Sequence, residues 1–343
     1  MARLGPWVWV GMVRSSNMLA ILLVLLTGLG EVRVEAATLQ AIQSRGHLVC
    51  GVRQDQPAFA VVDARGRYSG MEVDICRALA VVILGSPEQV QFAPVEYVQH
   101  FVDDAHVDVV LHGLTHTLDR ERKFDITFSS VYFYDGQAFM VPRASGIQSP
   151  DQLQGRKVCL RRGGEAEKNM NKYAHGKFKL ILSTEEALAQ DEFLAGKCDA
   201  YTADVSLVIA MLYSKPVSSA EYQVLPQRIS KEPLAAITRR SDQELSHALN
   251  AVMSAIVEAE ERGITSADAT EGVEPEKLSK FAEWAAPFMP QLPGDWAVHV
   301  VRSVGNYGEI YNRNLARARE YGIERGLNQP WSAGGIMYAL PVR

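Results

Sequence analysis

The 343-residue chain has no basic stripe, no phosphate-loop motif, no Cys-x-x-Cys pair, no internal repeat and no low-complexity tract. Each absence removes a class of function. With a formal charge of -5 and a pI near 5.9, the chain lacks the positive footprint that neutralises phosphates on nucleic acid. Without a Gly-rich loop ending in Gly-Lys-Ser/Thr, it has no evident means of hydrolysing ATP itself. His100, His106, His112 and His116 share no predictable face at ligand spacing, so neither a metal nor a cofactor is expected. The uninterrupted apolar run at 18–26 is well short of the ~20 residues that a membrane span needs.

What is present points to export. Arg14 precedes the apolar run 19–26, a polar stretch follows at 31–35, and Val34-Glu35-Ala36 offers small residues where a signal peptidase reads. Residues 1–36 are expected to be a signal peptide cleaved after Ala36, leaving a periplasmic protein. No cysteine lies near that point to carry a lipid. The four cysteines, Cys50, Cys76, Cys159 and Cys198, suit disulfides in an oxidising compartment better than a zinc site. Three connectivities are possible. The economical one pairs Cys50 with Cys76 and Cys159 with Cys198, each closing a loop of moderate length between a strand and the segment after it.

The remaining chain alternates strand-like and helix-like segments, which favours mostly parallel sheet covered by helices. Strands are expected at 48–52 and 107–111. A helix at 73–84 places Val73, Cys76, Leu79, Ala80 and Ile83 on one face. A second alternating unit begins near Pro142, with a strand at 157–160, a capping box Ser183-Thr184-Glu185-Glu186 opening a helix that stops near Gly196, and a strand at 199–202. After an apolar run at 234–237, another capping box, Ser241-Asp242-Gln243-Glu244, opens an amphipathic helix through Leu245, Leu249, Val252 and Ile256. The tail from Thr265 mixes a helix at 276–284, a proline-rich turn and an aromatic stretch at 296–311. The simplest topology is two α/β lobes, the second inserted into the first, with two strands crossing between them.

Thr115-His116-Thr117-Leu118-Asp119-Arg120 places two hydroxyls and a guanidinium where a buried strand ends, which is where open α/β sheets bind ligands. A planar guanidinium grips a carboxylate bidentately, and hydroxyls or backbone N–H groups take its remaining lone pairs. Local spacing alone equally allows a surface loop in which Arg120 pairs with Asp119 or Glu121.

Several motifs, in order, make the chain resemble the exported amino-acid-binding proteins of ABC importers, in the general L-amino-acid branch of family 3 with the type II fold. They include Gly70-Met71-Glu72-Val73-Asp74-Ile75-Cys76-Arg77-Ala78, the Thr115 to Arg120 stretch, Tyr134-Asp135-Gly136-Gln137, Cys198-Asp199-Ala200-Tyr201-Thr202-Ala203-Asp204, Lys231-Glu232-Pro233-Leu234 and Gly305-Asn306-Tyr307-Gly308-Glu309-Ile310-Tyr311. The resemblance implies lobe 1 at 37–140 and 233–343, with a C-terminal extension at 265–343, and lobe 2 at 141–232. It implies that Arg120 and Thr115 take the α-carboxylate of an L-amino acid and Asp204 its α-ammonium group. Gly113 would supply a carbonyl, and Gly163 and Gly164 would offer N–H groups from the second lobe.

Bland alternatives stand beside these roles: Gly113 as a tight approach of chain to chain, Asp204 as a helix cap, and Tyr132, Phe133 and Tyr134 as core rather than cleft wall. The chain departs from the family at Arg162-Gly163-Gly164-Glu165, where hydroxyl residues are usual. Glu165 either faces solvent at a helix N-terminus or repels a ligand carboxylate unless Arg161 or Arg162 neutralises it. The expected partners are an amino acid and the permease subunits of the importer, with the binding protein itself a monomer. Two other functions on the same fold are a ligand-sensing partner of a membrane receptor and a cyclohexadienyl-dehydratase-like enzyme, for which Glu165 would be the general acid.

Overall fold

A computed structural model of the protein describes residues 39–174 and 177–341, together with Met1 and Gly5. The signal peptide and its cleavage after Ala36 lie outside the described residues. Within these, no helix is long and apolar enough to cross a membrane.

Among the described residues, thirteen strands make two five-stranded sheets and one small one. The first sheet has the order β5-β1-β6-β13-β7, built from β1 (Leu48–Val52), β5 (Val90–Pro94), β6 (Val109–Leu111), β7 (Ile126–Asp135) and β13 (Glu232–Arg239). Here β1 runs parallel to β5 and β6, and β13 runs antiparallel to β6 and β7. The second sheet has the order β10-β9-β11-β8-β12, from β8 (Gln137–Pro142), β9 (Lys157–Arg161), β10 (Lys179–Ser183), β11 (Ala200–Asp204) and β12 (Tyr222–Val224). The short β2 (Asp55–Gln56), β3 (Ala60–Val62) and β4 (Tyr68–Ser69) form an antiparallel flap.

The chain passes between the large sheets twice, at Gly136 and just before β13, as the inserted-lobe topology expects. The two crossings touch: a Cβ on Gly136 would stand 2.7 Å from the Ser230 carbonyl oxygen, so only glycine lets the strands approach this closely. Ile229 N–H donates to Gln137 O at 3.0 Å, and Gln137 N–H to the Ser230 hydroxyl at 3.0 Å. Because β8 joins the second sheet from Gln137, the expected boundary between 140 and 141 falls inside that strand.

Helices Met71–Leu84, Gln243–Glu261 and Trp296–Val304 pack on one another beside the first sheet. The first of these is buried on nearly every side, more than a single apolar stripe implied, because the C-terminal helices cover its outer face. The C-terminal extension is thus part of the core: Arg313 and Asn314 both donate to Asp74 Oδ2 at 2.8 Å.

Both expected disulfides are present. Cys50 on β1 joins Cys76 on helix Met71–Leu84, with Cα atoms 6.3 Å apart, and Cys159 on β9 joins Cys198, at 5.7 Å. Cys198 sits in the turn after helix Glu186–Leu194 rather than on it.

One expectation fails outright. The capping box at Ser183 and Glu186 does not form, because Ser183 ends β10 and its hydroxyl donates to Glu192, while Glu186 accepts from the Tyr201 hydroxyl. Glu185 holds the cap position without a side-chain bond. At the later box the cap is Asp242, which accepts from Leu245 N–H at 3.1 Å.

Candidate functional site

The loop after β6 is sewn to the start of β13. Thr115 bridges Leu234, His116 N–H donates to Pro233 O at 2.7 Å, and Ala235 N–H donates to Leu114 O at 3.1 Å. This backbone pairing holds Thr115, 8% exposed, beside the second crossing. Thr117 then caps helix Leu118–Lys123, accepting from Arg120 N–H at 3.2 Å. Its hydroxyl is therefore committed to the helix.

Arg120 does not pair with its neighbours in sequence. Asp119 goes to Arg122 at 2.8 Å and Glu121 to His116 at 3.2 Å, whereas Arg120 turns back and donates to the Thr115 carbonyl. Burial lowers its pKa, opposed by the charges of Glu165, Glu232, Asp204 and Asp119. Two of these carboxylates, Glu165 and Asp204, belong to the second lobe, so Arg120 faces it across the gap between sheets.

Asp204 ends β11 at the start of helix Val205–Ser214, but its side chain makes no capping bond. The helix-cap reading fails there. Among the described residues its Oδ1 is buried without a hydrogen-bond partner. Burial raises its pKa well above the usual carboxylate range, and Asp135, Glu232, Glu186 and Glu165 raise it further. Asp135 is raised too, mainly by burial, despite bonds from Ser206 and Gly136. A carboxylate with a buried, unmatched oxygen among like charges is destabilising alone and receptive to a cation.

The glycine-rich turn between β9 and helix Glu165–Ala174 is arranged differently. Gly163 N–H donates to Glu167 Oε2 at 2.6 Å, and Arg162 N–H to Ser183 O at 2.8 Å. Glu165 is 51% exposed and pairs with Lys168 at 2.7 Å, so the neutralising cation is Lys168 rather than Arg161 or Arg162. Its solvent-facing position at the helix N-terminus agrees with the bland reading.

Gly113 has φ +68 and its N–H donates to Glu72 Oε1 at 2.7 Å, while a Cβ there would meet only the Gln56 side chain at 3.5 Å, so the left-handed backbone rather than a close approach of chains calls for glycine. Glu72 is buried and also accepts from the Tyr132 hydroxyl; burial pushes its pKa up to about 7. Tyr132 and Phe133 are core, and Tyr134 is half-buried.

Three groups that couple electrostatically to the candidate residues or to one another escaped sequence reasoning. His112, 8% exposed, has an Nε2 without a partner among the described residues. Burial, with help from Arg53 and Arg120, lowers its pKa to about 4, keeping it neutral. Glu186, hidden in the sequence as a supposed capping residue, is raised by burial and feels Arg53 from the first lobe. Arg53 itself pairs with Asp55 at 3.0 Å. A lone histidine or arginine in a loop carried no signal that could have singled these out. Among the described residues, no group of three or more potential metal ligands converges.

Residues 48–264 match the family described as bacterial extracellular solute-binding proteins, family 3. The chain is 32% identical to the glutamate/glutamine/aspartate/asparagine-binding protein BztA of Rhodobacter capsulatus, over 90% of this chain and 94% of that one. It is also 32% identical to the general L-amino acid-binding periplasmic protein AapJ of Rhizobium johnstonii, over 92% and 95%. Among solved structures, an ABC transporter periplasmic binding protein from Brucella ovis with glutathione bound superposes with a TM-score of 0.77. It is 32% identical, covering 89% of this chain and 99% of that one.

Proposed function

The chain belongs to family 3 of the bacterial extracellular solute-binding proteins, and from that membership we propose that it is the periplasmic amino-acid-capturing subunit of an ABC importer. Its fold is the two-lobe type II periplasmic binding protein fold. In this reading the lobes divide at Gly136 and Glu232, close to the boundaries expected from sequence, and residues 1–36 are removed on export. The mature protein is a monomer that delivers its ligand to two membrane permease subunits and catalyses nothing.

One observation carries the assignment of the site: the Asp204 oxygen is buried and unmatched, its carboxyl feels the charges of four other carboxylates, and it lies within the electrostatic reach of Arg120. A zwitterion resolves that arrangement. Its carboxylate pairs with Arg120 and Thr115, and its ammonium group with Asp204 and the Gly113 carbonyl. Because Arg120 and Asp204 belong to different lobes, the ligand stabilises the closed state selectively. Each charge-assisted hydrogen bond contributes about 1.5–3 kcal/mol, enough for a few to offset the ordering of the lobes. Gly163 reaches the ligand only if Glu167 releases its N–H, which makes Gly164 the more accessible donor.

Glu165, the candidate general acid of the enzyme reading, is exposed and ion-paired, which disfavours it for that role. The Brucella protein with glutathione bound widens the ligand range worth testing to γ-linked peptides.

The test is a thermal-shift screen of the exported protein against the twenty amino acids and glutathione, followed by calorimetry on Arg120→Ala and Asp204→Ala. Stabilisation by at least one amino acid, lost in both variants, is expected. Near-normal affinity in both variants would refute the site assignment. N-terminal sequencing of the secreted protein checks cleavage after Ala36.

A further inference from the structure

Two crossing strands are the connections that the topology requires between the lobes, yet the packing supplies another. A continuous apolar cluster runs from Phe133 and Tyr311 beside the first crossing, through Leu315, Ala318, Tyr321 and Ile323 of the C-terminal segment, into Leu212, Val217 and Val224 of the second lobe. We propose that residues 316–328 form a third, non-covalent link between the lobes, a strap behind the hinge that limits how far they part.

The strap has three anchors. On the first lobe, Arg325, 9% exposed, donates to both oxygens of Glu260 at 2.5 and 2.6 Å, and its guanidinium lies 5.2 and 4.9 Å from the rings of Tyr307 and Tyr311. At the first crossing, the Asn328 amide pairs with both backbone groups of Tyr134: Oδ1 accepts from N–H at 2.7 Å and Nδ2 donates to O at 3.1 Å. On the second lobe, the Tyr321 hydroxyl donates to Val217 O at 2.8 Å, and Arg317 N–H donates to the Tyr213 hydroxyl at 3.2 Å.

Mechanics follow from spacing. Only Gly322, Ile323 and Glu324 separate Tyr321 from Arg325, so the chain between those anchors can extend to about 14 Å and no further. Opening rotates the second-lobe anchor away from the first-lobe one while the crossings bend at Gly136 and near Ser230. Gly322, at φ +83, closes the 3-10 turn Ala316–Tyr321 and supplies the local slack. Once that slack is used, further opening must break the Tyr321 anchor and expose its ring, buried to within 1%. The hinge therefore has a built-in stop.

This proposal does not depend on which ligand binds, and its test needs none. Small-angle scattering of the ligand-free protein is compared with two variants. Insertion of Gly-Ser-Gly-Ser between Gly322 and Ile323 lengthens the strap without touching an anchor. Tyr321→Phe removes one hydrogen bond and keeps the ring in place. Each variant is first shown to unfold cooperatively. A larger radius of gyration in either folded variant, with faster amide exchange at Tyr134, Gln137 and Ile229, is the expected result. An unchanged radius in both would overturn the strap, whatever the outcome of the amino-acid screen.

Discussion

The two walls of the site solve opposite problems. On the first lobe, the residues flanking Arg120 in sequence are already paired: Thr117 caps the helix, Asp119 and Glu121 hold other partners, and the Thr115 carbonyl receives the guanidinium. On the second lobe, Asp204 is half-buried with one oxygen buried and unmatched, and it is repelled by Asp135, Glu232, Glu186 and Glu165. The first wall is pre-organised and the second is strained electrostatically. In the proposed site such a division would make binding conditional, because relief of the second wall comes only with the ammonium group of a zwitterion whose carboxylate the first wall also takes.

The sharpest test of that contrast sets Arg120→Ala against Asp204→Asn. Each is expected to weaken amino-acid binding by about three orders of magnitude, or about 4 kcal/mol, as calorimetry reads it. They should diverge without ligand: Asp204→Asn raises the melting temperature, since it removes a carboxylate that the fold opposes, whereas Arg120→Ala does not.

The lobes can next be compared through their staples. Replacing Cys50 and Cys76, or Cys159 and Cys198, by serine should cost about 3–4 kcal/mol in either lobe by the chain-entropy argument, for separations of 26 and 39 residues. Urea unfolding measures it. A much larger loss in one lobe would mean that the other lobe's core does more of the holding.

Acid titration asks whether the first wall is as relaxed as it looks. Burial pushes the Glu72 pKa up to about 7 from its ordinary value of 4.5, so folding favours its protonated form. Its contribution to stability is present below about pH 4.5 and lost as pH rises through 7. A shift of this size corresponds to about 3 kcal/mol. Glu72→Gln should flatten that part of the wild-type stability curve. His112 works the other way: folding favours its neutral form, so its contribution is lost as pH falls through about 4.

Smaller effects refine the second wall. Gly164→Ser restores a hydroxyl where a Cβ meets nothing closer than Arg161 Nε at 3.9 Å. It should fold normally and tighten binding by about threefold, roughly 0.7 kcal/mol. Arg122→Ala, which breaks only the exposed pair with Asp119, should change stability by less than about 0.5 kcal/mol and leave affinity alone.

How much could be read beforehand divides along physical lines. The strand at 48–52, the long helix ending at Glu261 and both cysteine pairs were legible because periodicity and short loops are local properties. The Ser183 capping box was misread for the complementary reason. Its pattern was right, but Glu192 from the following helix and Tyr201 from β11 outcompeted the backbone for the same side chains. Arg120 illustrates the point in the site itself, since two acidic neighbours lay within reach on spacing alone and neither took it.

By itself, then, the sequence determined two alternating α/β units, their disulfides and a loop at a strand end that carries Thr115, Thr117 and Arg120, all set by neighbours within a few tens of residues. Only the tertiary structure decided that an Asp204 oxygen would be left unmatched, that Glu186 would feel Asp204 and His112 would feel Arg120, and that the tail would span both lobes. Burial and charge at those positions are sums over groups far apart in the chain, and no local pattern encodes such a sum.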